Sequence, residues 1–318
     1  AGAEAVVDRK LDDVERIDVA GLRETKNPAD PQVVLFVGTD TDDGLEADPA
    51  RVPHRRTDTL VLARVDPGNE VVTLLPLYRD LWVDIPGHSP GRISTAYELG
   101  GPDLLIDTIR QEYGIGVDRY METDFAGAVA LGDAMGGLSF AFPSEVQDQS
   151  GLHVPAGCHR YDGAELLALG RARHLKQRES AAAPWRPLDA SSDLGRTERT
   201  QVIGTALVAR LTQIGIDDPV ELRRLLDAFV QHVRLDQATT SAEVVDLFRA
   251  ISGSTMVPAR LPVQAAVRGG TDVLVVDPAA QAAVVERFSA GAPADPSTTT
   301  TLGAGVSPTP DAAIPTPC

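Results

Sequence analysis

A β-hairpin signal is the feature that most constrains how this chain folds. Two strand-like runs, residues 59–65 and 71–77, flank Asp66-Pro67-Gly68-Asn69, a sequence typical of a tight turn. If the runs pair antiparallel about Pro67-Gly68, residues whose numbers sum to about 135 face each other. This register places Asp58 beside Tyr78 and Arg79. The hairpin therefore predicts that two charged segments meet at one end of a sheet.

The rest of the chain mixes strand and helix patterns without a strict strand-helix-strand rhythm. The apolar run at 33–37 ends in Gly38-Thr39-Asp40, which predicts a buried strand with Asp40 at its tip. Residues 175–192 lack periodicity and are predicted to form an exposed loop. Other helices are predicted over 102–113, after Asp124, over 162–173, from Asp193 through Val202 to Leu211, and over 220–233, 242–251 and 279–288; further strands flank the helix after Asp124 and lie at 256–263 and 273–276. This mixture favours a layered α/β domain with a mixed sheet.

Charge and hydropathy exclude several classes of protein. The 318 residues include 29 basic and 46 acidic side chains, a net charge of −17. A protein that binds nucleic acid along its backbone needs a basic surface, so nucleic acid is not expected as a partner. No run approaches the roughly 18 apolar residues that span a bilayer, and no signal peptide is present. A start at Ala1 suggests either a missing leader, such as a membrane anchor, or simple removal of methionine.

The two cysteines, Cys158 and Cys318, lie too far apart for a metal-ligand spacing. They form either a disulfide or two free thiols, and the position of Cys318 at the end of a Pro/Thr-rich tail favours the disulfide. A disulfide would indicate an oxidising, extracytoplasmic compartment. The composition divides the chain into a folded domain over residues 1–290, with its core at about 30–290, and a disordered tail over 291–318.

Aspartates and arginines are the side chains best placed for chemistry. Asp40 and Asp58 are expected at one edge of the sheet, where carboxylates either bind magnesium or cap turns. Arg196 and Arg199 lie one turn apart at the start of a helix, where cations are unfavourable unless an anion binds there or acidic neighbours pair with them. Walker, zinc-binding and nucleophile-elbow motifs are absent from the sequence. These residues are equipment for phosphoryl transfer that depends on a metal and on electrostatic stabilisation.

Several strings in order resemble the LytR-CpsA-Psr family of cell-wall glycopolymer ligases. The resemblance covers about residues 15 to 290, and its most specific parts are Arg56-Thr57-Asp58-Thr59 and Asp193-Leu194-Gly195-Arg196-Thr197-Glu198-Arg199. The other matching strings are Val37-Gly38-Thr39-Asp40, Leu77-Tyr78-Arg79-Asp80, Arg92-Ile93-Ser94 with Gly100-Gly101-Pro102, Asp124-Phe125 with Gly136-Gly137, and Asp162-Gly163 with Arg171-Ala172-Arg173.

The resemblance implies a three-layer α/β/α sandwich with a mixed central sheet and a hydrophobic groove for a polyprenyl chain. It implies a membrane-anchored enzyme at the extracytoplasmic face of the membrane and in the cell wall. Such enzymes are magnesium-dependent phosphotransferases that move a glycopolymer from a polyprenyl-pyrophosphate carrier to a peptidoglycan sugar hydroxyl, and a pyrophosphatase side activity is expected. The composition and the cysteines are similar to those of actinobacterial members, which suggests an arabinogalactan-like polymer.

The resemblance also implies residue roles. Asp40 and Asp58 would bind magnesium, and the catalytic residues would be Asp58, Arg79, Arg196 and Arg199. The pyrophosphate would be bound by Arg56, Arg79, Arg171, Arg173, Arg196, Arg199 and Gln201. General-base candidates are Asp40, Asp58 and Asp80. The apolar faces of the helices at Leu104 and at Val202 would form the walls of the groove.

This chain departs from the family pattern at Asp42, where an arginine is common, and at Ser94, where an asparagine is usual. Residues 175–192 are also longer than the usual link between the two arginine motifs, which leaves open whether Arg171 or Arg173 reaches the phosphates. Two alternative functions stay open: a hydrolase that uses water as acceptor, and a non-catalytic protein that binds lipid or wall polymer.

Overall fold

The computed structural model describes residues 11–24, 27, 29–40, 56–149, 151–172, 174–188, 192–211, 213, 219–291 and 316–318. The helices are α1 (Ile93–Tyr113), α2 (Phe125–Ala134), α3 (Gly163–Arg171), α4 (Ser192–Leu211), α5 (Pro219–His232), α6 (Ser241–Ile251) and α7 (Pro278–Ala290). The strands are β1 (Glu15–Ile17), β2 (Gln32–Asp40), β3 (Arg56–Asp66), β4 (Val71–Leu77), β5 (Trp82–Val83), β6 (Gly91–Arg92), β7 (Arg119–Asp124), β8 (Leu138–Phe142), β9 (Glu145–Gln147), β10 (His153–Val154), β11 (Gly157–Tyr161), β12 (Lys176–Arg178), β13 (Arg186–Pro187), β14 (Val233–Asp236), β15 (Thr255–Pro258), β16 (Val263–Arg268), β17 (Thr271–Val276) and β18 (Thr316–Pro317).

A seven-stranded sheet forms the centre of the molecule, in the order β1-β14-β7-β2-β3-β4-β15. The sheet is mixed: β2 pairs antiparallel with β3 and parallel with β7. Because strand side chains alternate between faces, Val33, Leu35 and Val37 pack with α1 and α7 on one face. Val34 packs with α4, α5 and α6 on the other. The fold is therefore an α/β/α sandwich, as the sequence predicted.

The hairpin of β3 and β4 has the predicted topology, with Leu60 opposite Leu77 and Asp66 opposite Val71. Side chains fix its turn, since Asp66 accepts hydrogen bonds from the Asn69 backbone and side chain and from Arg64. Burial raises the pKa of Asp66, but these hydrogen bonds outweigh it, and the net shift is below the ordinary value of 3.8. The turn is thus held by an ionised carboxylate.

Several sequence expectations are wrong in detail. Residues 175–192 are not one continuous loop, because β12 and β13 lie within them and pair with each other and with β9. The helix predicted to begin at Pro102 is preceded by a helical segment from Ile93, and the two join at a kink where Gly101 has a φ of 63°. Strand β16 was missed, and the strand predicted over 256–263 ends at Pro258.

A smaller sheet of β11, β8 and β18 binds the end of the chain. Thr316 lies opposite Ala141, and the Cys318 backbone N–H donates to Ser139 at 3.1 Å. A disulfide joins Cys158 of β11 to Cys318. The last three residues are therefore ordered against the domain, while residues 292–315 of the predicted disordered tail lie outside the described residues. Among the described helices, none combines the length and apolarity needed to cross a membrane.

Candidate functional site

Three strands end or begin together at one edge of the central sheet. Asp40 pairs with Arg56 and Thr39 with Thr57 across β2 and β3, while Thr39 also pairs with Asp124 of β7. The register of β2 and β3 shifts between Gly38 and Thr39, a bulge of the kind that redirects side chains beside active sites. The predicted convergence of charged segments is present in the backbone, although the side chains of Asp40 and Arg56 lie outside the described residues.

Asp58 forms the centre of a buried ionic network at this edge. Its Oδ1 accepts a hydrogen bond from Arg79, and its Oδ2 lies 3.8 Å from Nη1 of Arg196. Asp58 is only 3% exposed, and two guanidinium groups offset the cost of burying its charge. The predicted catalytic residues Asp58, Arg79 and Arg196 are thus brought together.

The network continues through residues to which the sequence analysis gave no place in the site. Asp80 Oδ1 lies 3.7 Å from Nε of Arg79 and 3.2 Å from Nε of Arg92. Arg92 also donates to the carbonyl of Asp272 in β17 at 2.7 Å. Arg92 was in a matching string but had no assigned role, and the adjacent Arg79-Asp80 pair was the available signal for this extension.

Arg199 and Gln201 occupy different places from those expected. Arg199 is fully buried, and its guanidinium donates to the carbonyls of Leu169 and Ala172 at the end of α3. Gln201 is 2% exposed and exchanges two hydrogen bonds with the backbone of Leu60, at 2.8 and 3.4 Å. Both side chains attach α4 to its neighbours, so in this structure they position the site and do not line it.

A mostly apolar pocket opens beside the ionic network. It contains about 520 Å³ of empty space, including its open mouth. Its floor is formed by Thr39 and Asp58, and its walls by α2, α3 and α4, through Phe125, Ala128, Val129, Leu166, Leu167, Ile203 and Leu207. The predicted wall at the Val202 helix is present. The predicted wall at Leu104 is wrong, because Leu104 packs with the core on the α1 side of the sheet.

Arg171 is the arginine that the structure places beside this pocket. It ends α3, and its guanidinium carbon lies 4.5 Å from the ring centre of Phe125, over the ring face. Phe125 begins α2, where Asp124 accepts from the Gly127 N–H at 2.8 Å as the N-cap. Asp124 and Phe125, matched as strings without a role, are therefore pocket residues. Arg173 lies outside the described residues.

The donor set at Asp58 is compatible with a magnesium ion. Asp58 Oδ2 and Thr57 Oγ1 are buried oxygens without a hydrogen-bond partner, and oxygens are the ligands that magnesium prefers. The described residues contain no group of three acidic, His or Cys side chains able to bind a metal. A site here would thus combine Asp58 with Asp40, whose backbone ends the neighbouring strand, and with oxygens of substrate or water.

Comparisons with known proteins agree with this picture. The protein is 31% identical to the regulatory protein MsrR of Staphylococcus aureus over 186 residues, 56% of this chain and 53% of MsrR. It is 28% identical over 232 residues to the polyisoprenyl-teichoic acid–peptidoglycan teichoic acid transferase TagU of Enterococcus faecalis, covering 72% of this chain and 69% of TagU. The chain spans about half the length of the first of these relatives.

The structure is similar to that of a LytR-Csp2A-Psr enzyme from Actinomyces oris, with a TM-score of 0.67. The two share 24% sequence identity over 86% of this chain and 95% of that chain, a likeness that confirms the α/β/α fold. The model of the LytR_cpsA_psr family matches residues 6–289. The resemblance carried by the motif strings is therefore confirmed, and the chain belongs to the LytR_cpsA_psr family.

Proposed function

We propose that this protein is a phosphotransferase that moves a glycopolymer from a polyprenyl-pyrophosphate carrier to a sugar hydroxyl of peptidoglycan. One observation carries the proposal: an apolar pocket opens directly onto the ionic network of Asp58, Arg79 and Arg196. A ligand that fits both regions has an apolar chain joined to a polyanionic group. A polyprenyl pyrophosphate has this composition, and the relative TagU is named for a transfer from a polyisoprenyl carrier.

In the proposed reaction, the acceptor hydroxyl attacks the phosphorus that bears the sugar. A bond forms between the acceptor oxygen and that phosphorus, the bond from phosphorus to the bridging oxygen breaks, and polyprenyl phosphate leaves. Arg79 and Arg196 stabilise the negative charge that develops on the phosphate oxygens. Arg171, which lies over Phe125 at the edge of the pocket, is placed to bind the second phosphate, and Arg56 at the start of β3 is close in the backbone register.

We propose that Asp40 and Asp58 bind magnesium for this reaction. The ion would neutralise phosphate charge and polarise the phosphorus. Arg199 and Gln201 act indirectly, by fixing α4 against α3 and β3. Water in place of the acceptor hydroxyl would give the pyrophosphatase side activity.

We further propose that the protein works at the extracytoplasmic face of the membrane, attached by an N-terminal anchor, with an arabinogalactan-like polymer as donor. The disulfide between Cys158 and Cys318 supports this location, because structural disulfides persist in oxidising compartments.

The test is turnover of a polyprenyl-pyrophosphate-linked sugar, with and without a peptidoglycan acceptor and with magnesium present or chelated. Arg79→Ala and Asp58→Asn should each lower transfer about 100-fold or more, the usual cost of losing a group that stabilises transition-state charge. Arg223→Ala, at an arginine whose side chain is 77% exposed on α5, serves as the control.

The outcomes separate the possible functions. Metal-dependent transfer that both variants lose supports the proposal. Equally fast turnover without an acceptor would indicate a hydrolase. Lipid binding with no turnover under any metal condition would indicate a binding protein and contradict the proposal.

A further inference from the structure

A second sheet beside the site presents a polar and aromatic face. Strands β10, β9, β12 and β13 pair in that order, with Lys176 opposite both Gln147 and Pro187. Val146 and Val154, which belong to the alternate row of side chains, are buried in a core cluster. Since neighbouring residues of a strand point to opposite faces, the remaining row faces away from that core. This outer face carries Glu145, Gln147, His153, Lys176, Arg178 and Trp185.

The outer face is held in place by its own side chains. Glu145 accepts two hydrogen bonds from Arg178, at 2.5 and 2.7 Å, and contacts His153 Nε2 at 2.5 Å. The Arg178 guanidinium lies 4.5 Å from the ring centre of Trp185. Hydrogen bonds from Arg178, and then from His153, lower the pKa of Glu145 to about 2. The ion pair is thus formed at any physiological pH, and the face is arranged before a ligand arrives.

The charge of this segment differs from that of the rest of the protein. Residues 145–187 include six basic and five acidic side chains, whereas the remainder has 23 basic and 41 acidic ones. A polymer that carries carboxylates is repelled by most of this surface and least by this segment. Lys176 lies in the outer face, and no printed hydrogen bond or ion pair involves its ammonium group, which makes it the natural contact for a carboxylate.

The outer face lies next to the proposed reaction centre but outside the pocket. Strand β12 begins five residues after Arg171, and β13 ends nine residues before Arg196. The pocket itself is lined from the edge of the central sheet and from α2, α3 and α4. If the lipid enters the pocket, the second substrate has to approach from beyond the arginines, where this sheet lies.

We propose that the outer face binds the glycan strand of peptidoglycan and so presents the acceptor hydroxyl to the site. Trp185 offers an aromatic ring to a sugar, Gln147 offers an amide, and Lys176 offers a cation to the carboxylates of the strand. This inference rests on the proposed function for the identity of the acceptor. The face is about 14 Å wide, given four strands about 4.8 Å apart, and fits a chain molecule better than a small ligand.

The experiment measures co-sedimentation of the intact protein with purified peptidoglycan sacculi stripped of other polymers. Trp185→Ala and Lys176→Glu should each weaken binding about three- to tenfold, as expected for one aromatic or ionic contact. Trp185→Phe, which keeps an aromatic ring, should bind nearly as well as the wild type. Arg268→Glu, an equal charge reversal at an exposed residue of β16, should have no effect, and thermal unfolding should show that all variants fold.

Steady-state kinetics separate this inference from the proposed function. Both outer-face variants should raise the KM for the acceptor and leave binding of a polyprenyl-pyrophosphate analogue unchanged. Loss of sacculus binding without any transfer activity in the wild type would support the docking face and contradict the proposed function. Wild-type sacculus binding in both variants, an equal loss in Arg268→Glu, or a loss of donor binding would overturn the docking face.

Discussion

At the scale of single residues, two arginines three positions apart on α4 have different environments. Arg196 is partly exposed and lies 3.8 Å from Asp58, whereas Arg199 is buried and donates to carbonyls of Leu169 and Ala172. The sequence predicted one shared role because residues three apart lie on one helix face. That face packs on α3 at one end and borders the site at the other, which spacing alone does not reveal.

The two arginines should therefore respond differently to replacement by lysine. Lysine cannot reproduce the two-pronged donation of Arg199, so Arg199→Lys should lower the free energy of unfolding by about 1–3 kcal/mol, the cost of unpaired buried groups. Arg196→Lys should lower transfer activity and change stability by less than about 0.5 kcal/mol. Denaturant unfolding and the transfer assay test both; equal stability losses would contradict the assignment.

At the scale of elements, α4 packs very closely on β3. A Cβ added at Gly204 would lie 2.3 Å from Cγ2 of Thr59, so the helix can approach the strand only because this residue is glycine. Gly204→Ala should cost about 1–3 kcal/mol of stability through overpacking and should lower activity by displacing Arg196.

The double variant Gly204→Ala with Thr59→Ser checks this reason directly. Serine lacks Cγ2, the atom that the new Cβ would contact first, so stability and activity should both partly recover. A double variant no more stable than Gly204→Ala alone would show that another contact is responsible.

The turn of the β3–β4 hairpin should make stability depend on pH. Because the pKa of Asp66 is lower in the folded state than its ordinary 3.8, the carboxylate stabilises the protein fully above that value. The contribution disappears as the pH falls through the lower folded pKa. The difference in unfolding free energy between the wild type and Asp66→Asn should therefore be largest near neutral pH and shrink below about pH 4.

Elements with local signals were predictable from the sequence, and elements defined by distant partners were not. Asp162 caps α3 in a capping box with Glu165, and the helix was predicted from that pattern. Strand β12, in contrast, is Lys176-Gln177-Arg178, with no apolar alternation, and it is a strand only because it pairs with β9 about 30 residues earlier. For the site, Asp58 and Arg79 followed from hairpin register, while the buried roles of Arg199 and Gln201 depend on tertiary packing.

At the scale of the whole molecule, the disulfide closes a long segment that includes most of the site. Cys158 and Cys318 are 160 positions apart, and α3 and α4 both lie between them. Cys318→Ser should lower the free energy of unfolding by about 4–5 kcal/mol in the chain-entropy model, measured against the oxidised wild type. In the reduced protein the same substitution should have little effect, which serves as the control.

The turn at Asp66 lies at the end of the hairpin opposite the site, so its influence there passes through strand register. Asp58 is eight positions before the turn and Arg79 lies just beyond the end of β4, so they meet only if the turn keeps its present length. A one-residue insertion at this exposed loop would shift every pair, and a register shift of one also exchanges the two faces of a strand. Surface loops usually tolerate insertions, but this loop should not, and length variation there should be as damaging as replacing a charged residue of the site.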